Sequence, residues 1–422
     1  MRFDPLAHRW WLAVATSAAV AAHSPEASAQ AAAAPAAAPA PPVIRAYAWI
    51  KPTVIVQASP VESFSQPNMI AATAAGNPVL TAIQDEAAIT FQAAQSRLGF
   101  WFNEKGPIRG QFELDFVDFS KSSPTTASVP RLRIAKVEWG LSDSTVLTAG
   151  QDWDLFQPAN AHTVDIVAVA FQAGNTAFMR QQAKLIWHDE SLEFGAALGL
   201  AGNNNGAKAL IPEYARIPTF ALRAAKLFGA AGRIGVSAIA TSWRFAPDSA
   251  AERNALTGGV GLYGDVKPAE GFNLRFEAYA GRNLANIGAL SLGTGNAVDD
   301  LDEVGGFVSA RYALTETHAL YGHAGMAKVL NDEDVLPSYT YGAVDMGMTP
   351  AESSATLAGT GAGITQNMVA RLGYEYRFDK TIAVMAEGFW FNTKHVLNQE
   401  FDADLDADRM AVGGEIGLFF TL

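Results

Sequence analysis

Ile108-Arg109-Gly110-Gln111-Phe112-Glu113-Leu114-Asp115-Phe116 alternates apolar or small residues with polar ones without a slip. Ile108, Gly110, Phe112, Leu114 and Phe116 share one face of an extended chain, and Arg109, Gln111, Glu113 and Asp115 share the other. Successive strand side chains point to opposite faces, so this segment is a strand with one apolar and one water-contacting face. A strand of a soluble sandwich shows the same alternation. How often the pattern recurs, and how its copies are connected, separates the two.

Working outward, sixteen such segments can be placed: 45–57, 90–102, 108–119, 131–140, 145–151, 179–187, 192–201, 216–227, 233–244, 255–265, 272–281, 304–313, 318–329, 366–377, 382–393 and 409–422. Every second connection is short and turn-like, as at Asn103–Pro107, Leu141–Ser144, His188–Ser191, Phe228–Gly232, Val266–Gly271, Leu314–Thr317 and Phe378–Thr381. The connections between them are longer, notably 58–89, 152–178, 282–303 and 330–365. Tight turns alternating with long loops, on an even number of strands, characterise barrels of the bacterial outer membrane. The expected fold is all-β: a transmembrane antiparallel β-barrel of about 16 strands over residues 43–422.

Composition agrees. Hydrophobic residues are 49% of the chain and charged residues 17%, against roughly a quarter charged in average globular proteins. Yet beyond the N-terminus no apolar run approaches the ~20 residues of a membrane-spanning helix. The net charge is -12, and twelve acids sit in three patches: Asp299, Asp300, Asp302 and Glu303; Asp332, Glu333 and Asp334; and Glu400, Asp402, Asp404, Asp406 and Asp408. All three fall in segments assigned to long loops. An acidic balance argues against a nucleic-acid partner. Cysteine is absent, which excludes disulfides and thiolate metal sites, and no cofactor or metal is expected. The Asp402–Asp408 alternation lacks the Gly and terminal Glu of an EF-hand loop and reads as a solvated acidic loop. Its alternative is bridging of divalent ions to lipopolysaccharide.

At the N-terminus, Arg2 and Arg9 precede the apolar stretch Trp10–Ala22, and Ala27-Ser28-Ala29 supplies small residues for cleavage. Residues 1–30 therefore read as an export signal and 31–42 as an Ala/Pro-rich linker. At the other end, Met410, Val412, Gly414, Ile416, Leu418, Phe420 and Leu422 alternate with Arg409, Glu415 and Thr421. That pattern reads as a lipid-facing strand running to the C-terminus.

Parity assigns the inward charges. Basic ones are Arg97, Arg109, Arg131, Arg133, Arg180, Lys184, Arg223, Arg233, Arg275, Arg311, Arg371, Arg377 and Arg409. Acidic ones are Glu113, Asp115, Glu193, Asp265, Glu277, Glu375, Glu387 and Glu415. Arginine facing lipid at the midplane costs about 2–4 kcal/mol, so these side chains call for a water-filled lumen. The basic excess predicts anion preference. The third external loop, 152–178, is expected to fold inward and carry Asp152, Asp154 and Asp165 opposite the arginines. Such a constriction would impose a transverse field.

Gln95-Ser96-Arg97-Leu98-Gly99-Phe100, Gly110-x-Phe112-Glu113-Leu114-Asp115-Phe116, Arg131-Leu132-Arg133 and Ala149-Gly150-Gln151-Asp152-Trp153, in this order, resemble the DcaP-like porins. The resemblance spans about residues 90–185. It implies a trimeric, sixteen-stranded porin in contact with outer-membrane lipids and lipopolysaccharide. It also implies passage of small anions such as dicarboxylates, with Arg97 and the Arg131/Arg133 pair facing the constriction. Members often carry a helical N-terminal extension, where this chain has its Ala/Pro spacer. Two other function classes compete. An outer-membrane enzyme would need a histidine base at the external rim, but His188-Asp189 lies in a short turn and no His-x-Ser pairing occurs. A structural or adhesive barrel would share every feature except an open lumen.

Overall fold

The alternation works out as a closed sheet. The computed structural model describes residues 43–58, 61–63, 66–69, 87–117, 129–165, 170–176, 178–200, 218–245, 253–284, 292, 300–335, 364–395 and 408–422. The proposed signal, the linker and the Glu400–Asp406 acids lie outside them. Sixteen strands follow one another: β1 (Ile44–Ile50 and Thr53–Gln57), β2 (Ala88–Gln92 and Arg97–Phe102), β3 (Ile108–Asp115), β4 (Arg131–Ser142), β5 (Thr145–Trp153), β6 (Met179–His188), β7 (Leu192–Gly199), β8 (Thr219–Leu227), β9 (Gly232–Phe245), β10 (Arg253–Ala269), β11 (Phe272–Arg282), β12 (Asp302–Ala313), β13 (His318–Val329), β14 (Ile364–Arg377), β15 (Ile382–His395) and β16 (Asp408–Thr421). Each pairs antiparallel with its neighbour in sequence, and β16 closes the barrel on β1 through Thr421↔Trp49 and Gly417↔Thr53. A short hairpin, Val61–Ser63 with Gln66–Met69, stands outside the barrel sheet.

Exposure follows the expected parity. Leu372, Phe91 and Val260 are 73%, 71% and 62% exposed, whereas Arg371, Glu277 and Glu415 are buried. An outer face of bare Leu, Val, Ile and Phe around a polar interior is stable only in an apolar solvent. The last strand keeps its predicted faces, with Met410, Val412, Ile416 and Leu418 exposed outward and Glu415 buried.

Two interruptions depart from the sequence reading, which ran β1 and β2 through without a break. Pro52 has no N–H to give the ladder, so β1 breaks at Lys51-Pro52 while β2 breaks opposite it between Gln92 and Arg97. The Lys51 N–H goes instead to the Ser96 hydroxyl at 3.0 Å, and the Pro52 carbonyl accepts from Leu418 N–H at 3.0 Å. Further on, a bulge between β3 and β4 pairs Glu113 with Ile134 but Leu114 with Leu132. Arg131 and Arg133 both stay inward, and past the bulge the even-numbered Lys136 and Glu138 turn in as well, while Val137 and Trp139 are exposed.

Candidate functional site

The inner wall from β2 to β9 is built on one repeated arrangement, a carboxylate held between two bases. Asp115 receives Arg131 at 2.6 Å and Arg133 at 3.1 Å, and Arg133 also reaches Glu113 at 2.8 Å. Glu138 receives Arg109 at 2.6 Å and Lys136 at 2.8 Å. Asp152 receives Lys136 at 3.2 Å and Lys184 at 2.5 Å. Glu193 receives Arg223 at 2.8 Å and Arg233 at 3.4 Å. Arg97 lies over the Trp49 ring at 5.0 Å, and Arg180 pairs with Asp154 at 2.6 Å. Bases on successive strands thus share acids, and cations outnumber carboxylates on this wall. Toward the turn end these bases meet water: the Arg233 and Arg109 side chains are 34% and 32% exposed.

From β7 onward the inner wall is covered from within. Leu155 and Phe156, just past β5, are buried against Ala197, Ala221, Ile239 and Tyr279, all inward-facing. Burying two such side chains is worth about 1.5–3 kcal/mol each. The segment then meets inward side chains of successive strands. Ala159 N–H donates to Glu277 at 2.5 Å, His162 N–H to Ser309 Oγ at 2.8 Å, and Val164 N–H to Glu387 at 2.9 Å. Gln95 donates to Asp165 at 2.6 Å. On the return, Gly174 has φ +112°, and a Cβ there would lie 2.1 Å from the Gly306 carbonyl oxygen. Only glycine lets the segment approach the wall that closely.

Where Asp165 arrives, buried charges converge. Arg371 pairs with Glu387 and lies 3.8 Å from both Asp165 and Glu415. Lys51 pairs with Glu415 at 3.1 Å and hydrogen-bonds to Gln95. Side-chain exposure across this group is at most 2%. The Thr163 hydroxyl adds a hydrogen bond to Glu387 at 2.8 Å. Here three acids face two bases, the reverse of the β2–β9 wall.

The sequence-derived site residues are distributed as follows. Arg97, Glu113, Asp115, Arg131 and Arg133 form one cluster. Asp152, Lys184 and Arg223 lie along the same wall. Arg275 pairs with Asp265 at 3.2 Å and Arg311 with Glu375 at 3.0 Å, on the far side. Three expectations need correction. Asp152 is not in a loop: β5 runs to Trp153, and Asp152 bonds bases on the adjacent strands β4 and β6. Asp154 likewise meets Arg180 of β6, not an arginine across the lumen, because cross-strand neighbours sit nearer than the opposite wall. Asp302 and Glu303, read as loop acids, begin β12; Glu303 is buried and hydrogen-bonds to Tyr279 and to the Leu292 N–H. Sequence reasoning also passed over Lys51, Gln95, Lys136 and Glu138. Lys51 was signalled by a charge beside a proline inside an apolar strand; Lys136 and Glu138 turn inward only because of the bulge. The inward basic excess is consequently local rather than general.

A closed antiparallel barrel of sixteen strands, apolar outside and charged inside, with tight turns at one end, decides the class. This is a porin fold. No family model and no curated protein sequence matches the chain. Among solved structures, the outer-membrane channel DcaP of Acinetobacter baumannii aligns with a TM-score of 0.64 at 11% identity, over 91% of this chain and 99% of that one. An anion-selective porin from Comamonas acidovorans aligns at 0.55 and 9% identity, over 90% and 100%. OmpT, an outer-membrane protein of Vibrio cholerae in its trimer form, aligns at 0.50 and 12% identity, over 90% and 99%. The porin fold places the chain, by architecture, among barrels of the bacterial outer membrane.

Proposed function

We propose that this chain is a diffusion porin, not an enzyme, and that its pore favours small anions, dicarboxylates among them. The observation that carries the reading is that Asp115, Glu138, Asp152 and Glu193 of the β2–β9 wall are each shared by two bases, which leaves positive charge where water reaches the wall. Inside a narrow, low-dielectric lumen such charge is poorly screened and raises the local anion concentration. In this reading the segment after β5 narrows the barrel, an arrangement supported by the hydrogen bonds of residues 159–165 to inward side chains. The Comamonas neighbour is itself described as anion-selective.

The same reading takes residues 1–30 as a cleaved export signal, 31–42 as a linker and 43–422 as the barrel. Its partners are outer-membrane lipids, lipopolysaccharide and two further copies of the chain. The reversal potential of single channels in a salt gradient tests it. Anion preference is the expected result; a cation-preferring or non-conducting wild type would refute the reading.

A further inference from the structure

Residues 159–162 meet the wall at a four-residue square of β11 and β12, in which Asn273 is paired with Arg311 and Arg275 with Ser309. His162 is stitched across its diagonal. Its N–H donates to Ser309 Oγ at 2.8 Å, and its Nε2 donates to Asn273 Oδ1 at 2.6 Å. Arg275 is held from two sides, by Asp265 at 3.2 Å and by the Asn160 carbonyl at 3.2 Å. Glu375 holds Arg311 through Nε at 3.0 Å and is itself shared with Arg377. Both arginine side chains stay about a third open to water, at 32% and 28% exposure.

We propose that Arg275 and Arg311, converging on His162, form a binding station for a single oxyanion, a carboxylate or a phosphate, and that its occupancy is coupled to proton uptake by His162. The chemistry follows from which atoms are already committed. Asp265 and Glu375 each engage a guanidinium through Nε, one terminal nitrogen of Arg275 is given to the Asn160 carbonyl, and among the described residues the other terminal nitrogens of the two make no hydrogen bond to a carboxylate. A fork of guanidinium N–H groups facing water is a recognition surface for planar oxyanions. With Nε2 given to Asn273, Nδ1 is the imidazole nitrogen left to take a second proton and donate it to a bound oxygen.

Empty, the station opposes that protonation. Burial and the charges of Arg275 and Arg311 hold His162 down to about 4, against a partial lift from Asn273 and Asp265. A further neighbour is His323 of β13, whose Nδ1 donates to the His162 carbonyl at 3.1 Å. An oxyanion between the two guanidinium groups cancels the repulsion, and by linkage a protonated His162 tightens the oxyanion. The station rests on the porin reading but is tested separately from it.

The test uses the intact wild-type protein in detergent micelles, inorganic phosphate as the probe at constant ionic strength, and the histidine ring resonances as the readout. The His162 resonance is expected to respond saturably, and its pKa to rise from about 4 as phosphate fills the station. His188 and His318, at the turn end, serve as internal references. Charge-assisted hydrogen bonds of this kind make each guanidinium worth about tenfold in phosphate affinity, lost in Arg275→Ala and in Arg311→Ala. Heat-modifiable migration verifies folding, and the pair Arg275→Lys with Arg311→Lys, which keeps charge but not the fork, should bind with intermediate strength. A non-saturable response, or an unchanged one in the Ala pair, would overturn the station. A cation-preferring channel with an intact response would instead sink the selectivity reading and leave the station standing.

Discussion

The β2–β9 wall and the seam where Asp165 meets β14–β16 and β1 use the same kinds of residue to opposite effect. On the wall, bases exceed acids and several remain wet, with Arg233 34% exposed. In the seam, Asp165, Glu387 and Glu415 exceed Lys51 and Arg371, and none of these side chains is more than 2% exposed. Charges in contact with water act on solutes at a distance. Charges taken out of water act mainly on one another, because each must be compensated locally. The wall is thus suited to selectivity and the seam to anchoring. An inward residue count that merges the two predicts neither.

The strongest way to break this contrast is to remove the seam's shared cation. Arg371→Leu leaves Glu387, Asp165 and Glu415 buried with only Lys51, which should cost about 3–5 kcal/mol. A lower temperature for the heat-modified shift in detergent gels, and larger, noisier single-channel currents, are the expected outcomes. Selectivity should change less than conductance.

Gly174 sharpens the anchoring half. A Val there meets the Gly306 carbonyl and an unfavourable φ together, a strain of about 1–3 kcal/mol. The segment should lift from β12 and β13 and raise conductance, while a Val at Gly388, which faces outward, should leave it unchanged.

On the wall, replacing Arg223 and Arg233 together by Ala strips Glu193 of both bases. The reversal potential should move toward cation preference with little change in heat stability. Arg97→Ala with Arg133→Ala should shift selectivity the same way but also lower stability, since Arg133 bridges Glu113 and Asp115 out of water. If the Arg223/Arg233 pair changes stability alone, the division between wall and seam is wrong.

The smallest effect is on pH dependence. Folded His162 titrates at about 4, whereas an unfolded histidine titrates near 6.5. Between those values the unfolded chain binds the proton that the folded one refuses, so stability falls as pH drops from 6.5 toward 4. Thermal unfolding in detergent should show that slope in low-phosphate buffer. His162→Gln should lessen it.

Much of this was legible in the linear chain. Side-chain period and turn chemistry are local properties, and they placed all sixteen strands, the outward face of β16 and the inward direction of Arg97, Arg223, Arg275, Arg311 and Arg371. Whatever depends on the neighbouring strand was not legible. Pairing decides that Lys51 turns inward opposite a matching break in β2, that the Glu113–Ile134 bulge turns in Lys136 and Glu138, and that Asp152 and Asp154 meet bases on adjacent strands. The paths of residues 154–165 and 170–176 are likewise set by tertiary contacts, since Leu155, Phe156 and Ala173 are buried against residues distant in sequence. A strand's own alternation says which face a charge takes. Only the closed sheet determines which opposite charge stands beside it, and whether water reaches the pair.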